Sequence, residues 1–138
     1  MPHSDLPQPA VRAPAAPAAP GVRTAVPDLS VVVVNRNTRE LLTECLASIR
    51  ELGGPVRLET IVVDNGSTDG SVERVRDEFP EVRLITNPEN TGYAFPNNQG
   101  IAESRGRYLL LLNSDTVLRP GALARLVEFM DEHPRAGA

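Results

Sequence analysis

The chain has 138 residues, 41% of them hydrophobic and 23% charged, which suits one folded domain of ordinary size. A net charge of −4 leaves no basic footprint for nucleic acid, and the single cysteine, Cys45, excludes an intrachain disulfide and fits a reducing compartment. The longest apolar runs, Val31–Val34 and Leu109–Leu112, are too short to span a bilayer.

Residues 1–27 hold seven of the 13 prolines and seven alanines, with no apolar periodicity. They read as a disordered or polyproline-II tail, with a docking tail for a partner or membrane as the functional alternative. The segment lacks the basic start and unbroken apolar core of a signal peptide. The folded part is expected over residues 28–138. It begins with "LSVVVVN" (Leu29–Asn35), a β-branched run without alternation, as in a central parallel strand covered on both faces. Asn37 and Glu40 resemble a capping box for a helix whose apolar positions are Leu42, Cys45, Leu46 and Ile49, stopped by Gly53-Gly54.

The pattern repeats along the chain. Leu58–Asp64 reads as a second strand, Asn65–Ser71 as a polar turn, and Val72, Val75 and Phe79 as the apolar face of a short helix ending at Pro80. Glu81–Asn87 is a third strand and Pro88–Asn98 a polar loop, followed by a short helix over Asn98–Arg105 that Gly106 ends. Arg107–Leu112 reads as a fourth, fully buried strand. Pro120 suits the first turn of a last helix that buries Leu123, Leu126, Val127 and Met130 and closes at His133-Pro134. The alternation β-α-β-α-β-α-β-α predicts an α/β fold, a Rossmann-like parallel sheet with helices on both faces. With strand order three-two-one-four, strand one is central and strand four lies at an edge.

Ligands of such sheets bind outside the carboxyl ends of the strands. Three polar tips fall there: Asn35-Arg36-Asn37, Asp64-Asn65-Gly66-Ser67 and Asn113-Ser114-Asp115. No G-x-G-x-x-G and no Walker loop is present, and the chain has no lysine. Asp115 reads in two ways: as the cap of a turn, or as a carboxylate holding Mg²⁺ or Mn²⁺ against ligand phosphates. "DNGSTDG" has its acids at the wrong offsets for a calcium loop, and Val75 stands where the closing glutamate belongs. His3 and His133 are isolated, and Cys45, on an apolar helix face, reads as a buried structural thiol.

Four blocks, "SVVVVNRNTRELLTECLASI", "IVVDNGSTDGSVE", "NPENTGYAFPNNQGI" and "GRYLLLLNSDTVLRPGAL", together resemble the family-two glycosyltransferases, most of all their rhamnosyltransferase-like branch. The resemblance implies the N-terminal half of a GT-A fold, which binds a nucleotide-diphosphate sugar, UDP- or dTDP-linked. It implies an inverting transfer to a saccharide or lipid-linked acceptor in cell-surface polysaccharide synthesis. It implies that Val34, Asn35 and Arg36 line the base, that Asp64 accepts from its N3–H with Asn65 beside it, and that Asn97 and Asn98 belong to the sugar loop. Asp115 matches the last acid of the metal motif, the ligand of Mg²⁺ or Mn²⁺, and Asn113 takes the place of its first acid.

The sequence departs from the family at Arg36, where relatives carry a stacking aromatic, and at Phe95-Pro96, where they carry small residues. A guanidinium plane can stack as well. The general base is expected beyond residue 138, in a longer parent chain working on the cytoplasmic side, peripheral to the membrane. The competing expectation is a truncated or degenerate nucleotide-sugar-binding module without transfer activity. For the 138-residue chain by itself, self-association through the Leu109–Leu112 edge is expected, whereas later strands would cover that edge in a longer parent.

Overall fold

The computed structural model describes residues 25–137, so the tail expected over 1–27 lies outside the described residues as far as residue 24. Eight elements alternate: β1 (Leu29–Asn35), α1 (Arg39–Leu52), β2 (Leu58–Asn65), α2 (Ser71–Glu78), β3 (Arg83–Asn87), α3 (Ala94–Glu103), β4 (Tyr108–Asn113) and α4 (Ala122–Glu132). All strand pairs are parallel, in the order β3-β2-β1-β4. This is the predicted α/β sheet, with β1 at its centre. Just before β1, the Pro27 carbonyl accepts from the Arg107 amide at 3.0 Å.

The unbroken apolar runs follow from coverage on both faces. Val31, Val32, Val33, Ile61, Val62 and Val63 are all fully buried. Each contributes roughly 1.5–3 kcal/mol by leaving water. Alternate residues serve two cores. Leu29, Val31, Val33 and Val62 pack with α1, α2 and α4, whereas Val32, Ile61 and Val63 form a smaller cluster on the other face. There α3 lies so close that a Cβ on Gly100 would meet Val32 Cγ1 at 2.3 Å.

Several expectations need correction. The capping box does not form: Asn37 is left-handed (φ 53), and its Oδ1 accepts from the Thr68 amide instead. The N-terminus of α1 is capped from a distant loop, the Arg39 amide donating to Asp69 Oδ2 at 2.9 Å. The same carboxylate accepts from the Ser71 amide, so Asp69 serves the first turns of two helices. β3 starts at Arg83 because the Val82 amide closes a turn onto the Phe79 carbonyl.

The helix expected at Asn98 begins at Ala94. Pro96 falls in its first turn, where amides have no intrahelical partner and a missing N–H costs nothing. β4 is an edge strand and only half covered. Leu109 and Leu111 are 42% and 46% exposed, because α3 packs over β1 and β2 and stops short of β4. Pro120 precedes α4, whose N-cap is the left-handed Gly121, and Leu126 faces solvent instead of the core.

Candidate functional site

The carboxyl ends of β1, β2 and β4 meet beneath three loops. Beneath them lies a buried polar network. Asp64, 2% exposed, accepts from Asn35 Nδ2 at 2.9 Å, Ser67 Oγ at 2.6 Å and the Ser67 amide at 2.9 Å. Asn35 Oδ1 takes the Thr38 hydroxyl at 2.6 Å, and Thr38 Oγ1 lies 3.0 Å from Ser114 Oγ. One chain of bonds therefore ties the tips of β2, β1 and β4 together. Buried polar groups demand such partners, and here they set the register of three loops.

A second anchor is Asn65, 3% exposed. Its Nδ2 donates to Asn90 Oδ1 and the Gly92 carbonyl, and its Oδ1 accepts from the Thr91 amide and hydroxyl. This one amide fixes the loop before α3. Gly66 allows the loop to close: it is left-handed, and a Cβ there would stand 2.7 Å from the Glu89 carbonyl carbon. The turn after β4 is held by the Thr116 amide on the Asn113 carbonyl and by the Leu118 amide on Ser48 Oγ, leaving Asp115 exposed at its tip.

Between these anchors opens a cleft of about 390 Å³, lined in part by Val34, Arg36, Asn65, Tyr93, Asn97 and Asn113. It sits in the crevice between β1 and β4, where the strand order reverses. Of the residues expected at the nucleotide and sugar, Val34, Arg36, Asn65, Asn113 and Asn97 line it. Asn35 and Asp64 lie buried beneath it, with the Asp64 oxygens already engaged. Asp64 Oδ1 takes two of these bonds and Oδ2 one, so the carboxylate is a fixed part of the site's floor. Asn98 and Phe95 are exposed on α3 and are absent from the lining, as is Asp115.

Sequence reasoning missed Tyr93, which is 73% exposed and forms part of the cleft wall. An aromatic held in water beside a cleft was the available signal. Asn97 was placed in a loop but stands in the first turns of α3, its Nδ2 spent on the Tyr93 carbonyl at 2.9 Å. That bond uses one of the two N–H groups of the amide, leaving the other and the amide oxygen for a ligand. Cys45 is fully buried below the β4 tip, and burial, helped by the Asp115 charge, pushes its thiol up to about 11. This matches its reading as a structural thiol.

Comparison with known proteins agrees with this geometry. The chain is 36% identical over 109 residues to the succinoglycan biosynthesis protein ExoO of Rhizobium meliloti (strain 1021), covering 77% of this chain and 30% of that protein. It is 31% identical over 121 residues to the N-acetylglucosaminyl-diphospho-decaprenol L-rhamnosyltransferase of Mycobacterium tuberculosis, covering 80% of this chain and 39% of the relative. The chain thus spans about a third of the length of these relatives.

Among solved structures, the mannosyltransferase PcManGT of Pyrobaculum calidifontis, in complex with GDP-Man and Mn²⁺, superposes with a TM-score of 0.70 at 29% identity. That match covers 78% of this chain and 33% of that one. TarS of S. aureus in complex with UDP-GlcNAc gives 0.71 at 27% identity, covering 78% and 32%. The sheet is that of the GT-A glycosyltransferase structures. The family model described as glycosyl transferase family 2 matches residues 30–138, and the chain belongs to that family.

Proposed function

We propose that the cleft between β1 and β4 binds a nucleotide-diphosphate sugar, UDP- or dTDP-linked, as the donor site of an inverting glycosyltransferase. The parent activity would build a cell-surface polysaccharide or glycolipid on the cytoplasmic side of the membrane. The observation that carries this reading is the position of the cleft at the carboxyl ends of a parallel sheet where strand order reverses, lined by amides and one cation. The rhamnosyl branch draws support from the Asn113-Ser114-Asp115 block and from the named relative of Mycobacterium tuberculosis.

Asp115, on its exposed turn beside Asn113, suits a hard divalent cation such as Mg²⁺ or Mn²⁺. These ions bind through one or two protein oxygens and complete their shell with phosphate and water. When bound, such an ion neutralises charge on the departing diphosphate. The rest falls to this chain's own residues: the polar network under Asp64 holds the three loops, Asn97 and Asn113 present amides to the ligand, and Tyr93 presents a ring.

Transfer breaks the bond between the sugar's anomeric carbon and the phosphate oxygen. An acceptor hydroxyl forms the new bond and must lose its proton to a base. No carboxylate and no histidine lines the cleft among the described residues. This favours a second reading beside the first: this chain alone binds the donor and transfers nothing. The open edge of β4, with Leu109 and Leu111 exposed, suits pairing with a second copy.

Calorimetric titration with UDP and dTDP, with Mn²⁺ and with EDTA, tests the donor reading, and light scattering tests the pairing. Binding of either nucleotide is expected, tighter with metal. No binding of either one sinks the proposal. Transfer from a UDP- or dTDP-sugar to an added acceptor would refute the binding-only reading.

A further inference from the structure

Among the residues lining the cleft, Arg36 is the one cation, and no acid shares the wall with it. Its guanidinium has no hydrogen bond or ion pair with any described residue. Its backbone, by contrast, is held on both sides. Asn35 is fully buried and bonded to Asp64, Ser67 and Thr38. Asn37, left-handed, donates its amide to Ser67 Oγ at 2.9 Å and accepts from the Thr68 amide at 2.8 Å. The fixed backbone places the start of an unpartnered cationic side chain at the cleft wall, so that only the side chain itself is left for a ligand to order.

The cleft also separates two tasks. Tyr93, on the same wall, supplies an aromatic face for a ring, and Asn97 and Asn113 supply neutral amides. Stacking draws on a planar face and needs no net charge. On the wall itself Arg36 is the one charge, with Asp64 buried beneath the cleft and Asp115 outside its lining, and an anion is the ligand that pairs with it. A guanidinium fork also matches phosphate oxygens two at a time.

We infer that Arg36 is the anion anchor of the cleft, holding the diphosphate of a nucleoside diphosphate instead of stacking on its base. The inference rests on the nucleotide-sugar reading, and its test separates the two. UDP and uridine are titrated into the 138-residue chain and into Arg36→Gln and Arg36→Lys, by NMR shifts that read even millimolar affinities. Thermal melts confirm that the variants fold. Arg36→Gln should weaken UDP by about tenfold or more, the value of a charge-assisted hydrogen bond, and leave uridine within about twofold. Arg36→Lys should restore part of the loss, keeping the charge without the fork.

Raising salt should weaken UDP for the native chain and have a smaller effect on Arg36→Gln. Equal losses for UDP and uridine would overturn the anchor in favour of stacking. Unchanged UDP affinity in Arg36→Gln would overturn the anchor while leaving the donor site standing. A native chain that binds no UDP would remove both.

Discussion

The two ends of the sheet treat charge differently. At the amino ends of the strands, acids and arginines pair within the chain. Asp28 meets Arg57 at 3.1 Å, Glu103 meets Arg83 at 2.6 Å, and Glu59 takes both the amide and the Nε of Arg105 at 2.8 Å. At the carboxyl ends, the buried acid Asp64 is satisfied by neutral donors, while Arg36 and Asp115 stand exposed without partners among the described residues. The same four strands therefore have an amino end whose acids and arginines pair, and a carboxyl end where Arg39, Arg74 and Glu40 pair on the helix starts but Arg36 and Asp115 stay open. A closed end contributes to folding alone. An open end keeps its charges solvated and available, at little cost to stability, for a ligand.

The largest test of this contrast is Asp64→Ala. It strips the acceptor from the buried Asn35 amide and from two partly buried donors on Ser67, and should cost about 3 kcal/mol of stability in urea unfolding. A loss confined to nucleotide affinity, with stability intact, would make Asp64 a ligand-reading group and not a structural one. Next comes Gly100→Ala, which sets a methyl against Val32 and should cost about 2 kcal/mol by overpacking. Because α3 carries the wall residue Asn97, nucleotide affinity should fall with it. Stability unchanged in the same unfolding assay would show that α3 can shift off the sheet freely.

Glu59→Gln probes the closed end and should cost about 1–2 kcal/mol at neutral pH. Burial opposes the charge on Glu59, but donors on Ser30 and Arg105 and the attraction of Arg105 outweigh it and hold the carboxyl below the usual glutamate range. A folded value below the unfolded one means the contribution is fully present above the ordinary glutamate range and fades as pH falls through the lower, folded value. The gap between native and variant stability should therefore narrow in acid, and a gap independent of pH would remove the ion pair as its cause. Asp115→Ala should be the mildest, within about 0.5 kcal/mol of the native stability, because nothing in the fold leans on that side chain. Its effect should appear only as loss of the metal's enhancement of UDP or dTDP binding. A marked loss of stability would turn Asp115 into a structural turn residue.

The sequence by itself determined the element order and the parallel sheet, because unbroken β-branched runs and helical spacing are local signals of burial. It also placed the polar tips on one rim, since a parallel sheet sends every strand's carboxyl end the same way. Only the tertiary structure decided which tip residues line the cleft. Asp64 and Asn65 are neighbours in sequence and both nearly buried, yet Asn65 lines the cleft and Asp64 does not, because successive strand residues point to opposite faces. Likewise, the cap of α1 came from Asp69, 30 residues away from Arg39, and β4 proved half open because α3 covers only its neighbours. Each of these depends on contacts between segments distant in the chain, and local sequence pattern carries no record of where such partners will lie.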